Sequence, residues 1–273
     1  MNSIAEARTA FPSIDSLDVD LLICHILQCN RSHVIAHPES KLSQPQAHQF
    51  ENLAARRNAG EPLAYLLGEK EFWDISLCVN PQVLIPRPET ELLVELCQEL
   101  IPKGASVLEL GTGSGAIALA LANDYSLTAI DNSEKALNVA RCNADKLSRS
   151  VQFLVSDWYS NVSGDFDAIV SNPPYIAATD ECLKNLTFEP LSALAAGIDG
   201  LDCLTAIIES AGPSLRPCGF LLLEHGNTQS EAVASLMKTA GFMDVKQHQD
   251  LAGHNRVTSG TKPPTTPICG TSL

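Results

Sequence analysis

LELGTGSGA, running from Leu108 to Ala116, joins one apolar run to another through glycines at 111, 113 and 115. SVLELG before it reads as a short buried strand and AIALALAN after it as a helix. The glycines permit the sharp turn between them and let a ligand approach the backbone closely. Outward from this junction the alternation repeats. SLTAID is a second strand, SEKALNVARCNADKL a helix, VQFLVS a third strand and FDAIVSN a fourth. Farther on, LDCLTAIIESAGPSL reads as a helix, GFLLLEHG as a strand, TQSEAVASLMKTAG as a helix, and FMDVKQHQD and HNRVTSG as two closing strands. Short apolar strands separated by amphipathic helices predict an α/β fold, a parallel sheet covered on both faces. Only DLAG and its neighbours join the last two strands, too few residues for a crossover helix, so the final strand is expected to run antiparallel.

In such a sheet, ligands bind beyond the carboxyl ends of the strands. Gly111, Thr112, Gly113, Ser114 and Gly115 form one candidate binding loop, and Asp131, at the end of the next strand, is placed to accept hydrogen bonds from ribose hydroxyls. Read as G-x-G-x-x-A the loop fits a dinucleotide, and read as G-x-G-x-G it fits S-adenosylmethionine. SNPPYI, Ser171 to Ile176, separates the two. Proline has no N–H and fixes its own φ, and the residue before a proline is held extended. Asn172, Pro173 and Pro174 thus make a stiff corner rich in acceptors, with the face of Tyr175 beside it. The corner suits a planar NH2 group whose two protons meet the Asn172 amide oxygen and the Pro173 carbonyl. Hydride transfer has no use for it, whereas a methyl donor does. Trp158, after the third strand, can cover an adenine ring and Asp157 can take its amino group. Acidic and aromatic walls near Glu109 and Tyr175 would favour a sulfonium.

The 273 residues carry 32 acidic and 18 basic side chains, a formal net charge of −14. That balance argues against affinity built on neutralising phosphates. Nine scattered cysteines without a C-x-x-C pair indicate neither a disulfide framework nor a zinc site, and no metal is expected. No apolar run is long enough for a bilayer. The N-terminus shows neither a signal peptide nor a transit peptide, which predicts a cytoplasmic protein. No feature fixes an oligomeric state, and a monomer is expected.

Residues 1–70 show helical patterning without a catalytic constellation, with Asp15 or Ser16 and Pro45 at expected helix starts. Between 71 and 88 the apolar runs FWDISLCV and QVLI flank Asn80-Pro81, which predicts a hairpin or extended linker turning there. The sheet domain is expected over 89–260, and the Pro/Thr-rich stretch 261–273 is expected to be a disordered tail.

GEPLAYLLGEKEFW (60–73), PQVLIPRPETELLVE (81–95), LELGTGSGAIALALA (108–122), SNPPYI (171–176), FEPLSALAAGIDGL (188–201), LLLEHG (221–226) and DLAGHNRV (250–257) together resemble the protein glutamine N5-methyltransferases that modify translation release factors, the HemK/PrmC type. The resemblance implies a Rossmann-like class I methyltransferase sheet of seven strands preceded by a small all-α domain that engages the release factor. It also implies methyl transfer from S-adenosylmethionine, with S-adenosylhomocysteine as product, to the glutamine of a GGQ motif. The implied catalytic residues are Asn172, Pro173 and Tyr175, with Pro174 completing the substrate corner. Arg87 and its neighbours are expected to help position the protein substrate. An adenine-N6 methyltransferase on DNA or RNA would use the same corner but would need a basic channel. A non-catalytic translation-factor adaptor would not need intact glycines, Asp131 and NPPY.

Overall fold

The computed structural model describes residues 3–264. The chain divides into two compact units, Met1–Glu69 and Lys70–Leu273. The first is all helical: α1 (Ile4–Ala10), α2 (Ser16–Leu27), α3 (Arg31–Ala36), α4 (Gln44–Asn58) and α5 (Leu63–Leu67). Asp15 caps α2 by accepting from Leu17 N at 2.8 Å. Ser43 and Gln46 form a capping box at α4, with Pro45 in its first turn. Ile4, Leu22, Ile23 and Phe50 fill the core. Asp20 is also fully buried, and its charge is met by Arg8 Nε at 2.8 Å and Arg31 Nε at 3.1 Å. A carboxylate buried in that way needs both partners.

β1 (Glu69–Phe72), which begins at the boundary, and β2 (Ile75–Cys78) form a two-stranded sheet. The chain reverses at Trp73-Asp74, where Trp73 takes a left-handed φ of 54°. The turn expected between strands at Asn80-Pro81 is a different object. Asn80 Oδ1 accepts from Gln82 N at 2.9 Å and Asn80 O from Val83 N at 3.1 Å, a side-chain-stabilised turn leading into non-strand chain.

Then follow α6 (Glu91–Leu100), β3 (Ser106–Leu110), α7 (Ala116–Leu121), β4 (Ser126–Asp131), α8 (Glu134–Leu147), β5 (Gln152–Val155), β6 (Phe166–Ser171), α9 (Asp202–Ser210), β7 (Leu215–Glu224), α10 (Ser230–Thr239), β8 (Met243–Gln249) and β9 (Asn255–Thr261). The seven-stranded sheet has the order β5-β4-β3-β6-β7-β9-β8. β9 is antiparallel to both of its neighbours, and the short connection from β8 demands the pairing with that strand. Alternation along each strand supplies two cores. Val107, Ala168, Val170 and Leu222 face the cluster containing α6 and α7 residues, while Leu108, Ile169, Leu221 and Leu223 face the one containing α9 and α10 residues. No helix among the described residues is long and apolar enough to cross a membrane.

The expected tail boundary at 261 needs moving. Thr261 pairs with Phe220 in the sheet. Lys262 N donates to Gly219 O at 2.8 Å, and its Nζ donates to the carbonyls of Gly212 and Leu215 at 2.7 and 2.6 Å. Backbone pairing thus outweighs the Pro/Thr-rich composition up to that lysine. Positions 265–273 lie outside the described residues.

One buried side chain ties the linker to the sheet domain. Asn143 on α8 accepts from Cys78 N at 2.7 Å and donates to Cys78 O at 3.0 Å and Ser114 O at 2.9 Å. Asn143→Ala strands these backbone groups, at about 1–3 kcal/mol for each one left unsatisfied. The urea midpoint should fall by an amount equivalent to roughly 3 kcal/mol, and an unchanged midpoint would show that the tie is dispensable.

Candidate active site

The central strands β3 and β6 stop level with one another, Leu110 opposite Ser171. The buried Ser171 hydroxyl donates to Leu110 O at 2.7 Å, locking the two strand ends together. The glycine loop leaves β3 here, with Gly111, Gly113 and Gly115 at φ values of 72°, 55° and 85°. These left-handed angles are what the glycines are for. Thr112 N donates to Ile130 O at 2.9 Å, joining the loop to β4. Asp131 ends β4. Its Oδ2 accepts from Gly113 N and its Oδ1 from Ser133 N, each at 2.9 Å. Burial raises its pKa, and those backbone donors oppose the rise. A carboxylate has about four acceptor positions, so each oxygen retains capacity for a further hydroxyl.

These ends open on a cavity of about 370 Å³. Gly111, Gly113, Asp131, Trp158, Asn172 and Pro174, all marked by the sequence, line it. Asp157 also lines it, Pro81–Leu84 form one wall and Pro190, Ser192 and Ala193 another. Trp158 is held at φ 44° in a turn closed by Ser156 Oγ, which donates to Trp158 O at 2.7 Å. A methyl group at Gly111 would lie 3.9 Å from the Trp158 ring, while one at Gly113 would meet nothing within 4 Å. The loop backbone is therefore open to the cavity.

The other marked residues lie behind this surface. Thr112 Oγ1 donates to Glu109 Oε2 at 2.7 Å, and Ser114 is buried. A Cβ at Gly115 would come within 2.9 Å of Leu119 Cδ1, so this glycine serves helix packing. Pro173 is buried. Tyr175 does not face the cavity as a flat wall. Its hydroxyl donates to Glu224 Oε1 at 3.2 Å. Glu109 is no acidic wall either. It is fully buried, it accepts from Thr112 Oγ1 and from Ala118 N at 3.1 Å, and burial pushes its carboxyl up to about 8 against those donors.

Three residues that frame the site carried no role in the sequence reading. Glu189 accepts from Ile85 N at 3.0 Å and from the Arg87 guanidinium, clamping the two cavity walls together. Arg87, expected to position a protein substrate, is thus committed to an ion pair. Gln229 Nε2 donates to Tyr175 O at 3.0 Å, and its Oε1 accepts from Gly226 N at 2.8 Å, bracing the Asn-Pro-Pro-Tyr corner from behind. The corner's own amide is oriented by Thr90: Asn172 Nδ2 donates to Thr90 Oγ1 at 2.9 Å. A glutamate in FEPL, a glutamine after EHG and a threonine in IPRPETE have no local pattern that points across such sequence distances.

Residues 5–68 match the family described as the PrmC N-terminal domain, and 88–197 match the methyltransferase small domain. A release factor glutamine methyltransferase of Salmonella typhimurium is 46% identical over 89% of this chain and 91% of its own length. One from Coxiella burnetii is 41% identical over 93% and 95%. The chain belongs to the release factor glutamine methyltransferase family. Among solved structures, a methyltransferase from Pyrococcus furiosus superposes with a TM-score of 0.56 at 20% identity, covering 78% of this chain and 99% of its own. The Thermus thermophilus 16S rRNA N2 G1207 methyltransferase, in complex with AdoMet and guanosine, gives 0.55 at 20% identity over 71% and 49%. Both share the fold of this release factor glutamine methyltransferase family member.

Glu109 supplies a test of the loop's foundation. Above the usual carboxylate range the unfolded chain has ionised this group, while the folded chain keeps it protonated up to about 8. The folded state then binds more protons, so stability falls as pH rises across that window, by up to about 1.4 kcal/mol per pH unit. Glu109→Gln removes this contribution. Urea unfolding at pH 5 and pH 8 should show the variant gaining on the wild type at the higher pH; a constant difference would mean that Glu109 is ionised in the fold.

Proposed function

We propose that this protein transfers a methyl group from S-adenosylmethionine to the side-chain amide nitrogen (N5) of the glutamine in the GGQ motif of a peptide chain release factor. The observation that carries this is the sharing of one cavity by Asn172 and Pro174 with Gly111, Gly113 and Asp131. The cavity is of the size that small-molecule sites usually have, and the open glycine backbone and the spare acceptor positions on Asp131 suit a nucleoside with an amino-acid arm. Asp131 would hold the ribose hydroxyls, Gly111–Gly113 would face the rest of the donor, and Trp158 with Asp157 would take the adenine. When bound, S-adenosylmethionine supplies a sulfonium-activated methyl group and leaves as S-adenosylhomocysteine.

The task left to the chain is placement. A carboxamide nitrogen is a poor nucleophile, because its lone pair is delocalised into the carbonyl. Asn172 Oδ1 accepts one proton of the glutamine NH2 and the backbone carbonyl of Pro173, whose bulk is buried behind the cavity, the other, raising electron density on nitrogen and fixing its direction. Such orientation contributes on the order of 7–11 kcal/mol when reacting atoms are held in a near-attack arrangement. Asparagine has no protonation change near neutral pH, so it acts as an acceptor and not as a base, and the product amide gives its surplus proton to water. Tyr175 contributes from behind the corner through Glu224. Residues 1–69 engage the release factor, and the net charge of −14 favours a protein partner in the cytoplasm over nucleic acid.

Incubation with methyl-labelled donor and a release factor tests this. Label should appear on the intact factor and be absent from its GGQ Gln→Ala variant. Equal labelling of both proteins, or labelling of DNA or RNA in preference to either, would overturn the assignment.

A further inference from the structure

Asn172 can present either end of its amide to a substrate, and the two ends have opposite hydrogen-bonding character. An NH2 group facing the glutamine NH2 would set donor against donor. Something must select the oxygen. Behind the half-buried Asn172 lie two buried polar groups, Thr90 and Glu224. Asn172 Nδ2 donates to Thr90 Oγ1 at 2.9 Å. Thr90 is 4% exposed and sits at the start of α6, and Glu224, at 0%, ends β7. Tyr175 OH donates to Glu224 Oε1 at 3.2 Å, and the Thr90 hydroxyl is close enough to the same carboxylate to favour its ionised form. Oε2 of Glu224 is buried and has no partner at full hydrogen-bond geometry. A buried acceptor of that kind draws the nearest hydroxyl proton.

We propose that Thr90 and Glu224 are positioning residues that set the polarity of the Asn172 side chain, turning its oxygen towards the glutamine amide. Ionised Glu224 is acceptor-only, so the single proton of Thr90 goes to it. Thr90 Oγ1 can then only accept, and what it accepts is the Asn172 NH2. The oxygen of Asn172 is left facing the other way. A protonated Glu224 would reverse the order, donating to Thr90 and freeing the Thr90 proton for the Asn172 oxygen. Burial pushes the Glu224 carboxyl up to about 7, while Thr90, Tyr175 and the nearby Arg256 charge favour ionisation and Glu89 opposes it. His225, next in the chain, is held below the ordinary histidine range by burial, its Nε2 within 2.8 Å of Thr258 Oγ1. Arg256 is in turn paired with Asp250 at 3.1 Å.

The inference rests on the reading that Asn172 offers its oxygen to the glutamine, and a double-mutant cycle separates the two. Single-turnover methyl transfer is measured at pH 8 with saturating S-adenosylmethionine and release factor, for wild type, Thr90→Val, Thr90→Ser, Asn172→Ala and the Thr90→Val/Asn172→Ala pair. Calorimetry gives donor affinity in parallel. Thr90→Val keeps the shape and loses the hydroxyl, so the rate should drop about tenfold or more, the equivalent of one hydrogen bond, with donor affinity unchanged. Thr90→Ser, which restores the hydroxyl, should recover most of the rate. In the Asn172→Ala background Thr90→Val should cost almost nothing further, because residues acting through one another are not additive. A full additional loss in that background would overturn the polarity chain while leaving the role of Asn172 standing. An Asn172→Ala enzyme with wild-type rate would remove the underlying reading instead. If Thr90→Val does not bind donor, Glu224→Gln in the same cycle decides, with the same two outcomes.

Discussion

Everything at the site depends on two central strands ending at the same height. Parallel registration puts Leu110 beside Ser171, and the Ser171 hydroxyl seals the pair through Leu110 O at 2.7 Å. The loop leaving β3 and the corner leaving β6 therefore diverge from one point, and the space between them is the cavity. A slip by one residue would exchange the inward and outward faces of a strand. It would also separate Gly111 from Asn172. The two hydrophobic cores, one on each face of the sheet, hold that registration, so the site inherits its precision from packing some distance away.

Polar groups then convert a rigid place into a directional one. The backbone at Gly111–Gly115 cannot be copied by residues with side chains, and Asp131 is held by two backbone donors. The Asn172 corner is fixed from three sides: by Thr90, by Gln229 acting on Tyr175 O, and by the pairing of Ile176 with Ala195. Glu189 secures the facing walls through Ile85 N and Arg87. Little is left to rearrange when two ligands meet, which suits a reaction whose nucleophile needs orientation more than it needs a base.

Much of this was legible in the sequence, for physical reasons. Three alternate glycines after a strand, an acid at the end of the next one and an Asn-Pro-Pro-Tyr run are local patterns, and local patterns survive translation into structure. The antiparallel pairing of the last two strands followed from the length of the Asp250–His254 connection alone. Reading failed where burial, backbone conformation or a partner far along the chain decides what a residue does. Glu109 looked like a charged wall and is a buried brace, because the helix that covers it is set by tertiary packing. Thr112 and Ser114 belong to the loop but point away from its open side. Trp73, not Asn80, makes the hairpin turn, since a left-handed non-glycine residue has no compositional mark. Glu189, Thr90 and Glu224 sit inside stretches that were recognised as a whole, yet nothing in those stretches says which atoms they meet.

The central claim is that Asn172, placed by the sequence among both catalytic and cofactor-binding residues, contributes an oriented acceptor to methyl transfer and far less to donor binding. Single-turnover transfer by Asn172→Ala, with donor and release factor saturating, addresses it directly. Loss of one preorganised hydrogen-bonding group at a reacting centre typically costs about 3 kcal/mol, so the rate should fall about a hundredfold or more, with S-adenosylmethionine affinity close to that of the wild type. A variant that transfers methyl at the wild-type rate, or one that loses rate only because it no longer binds the donor, would contradict the account.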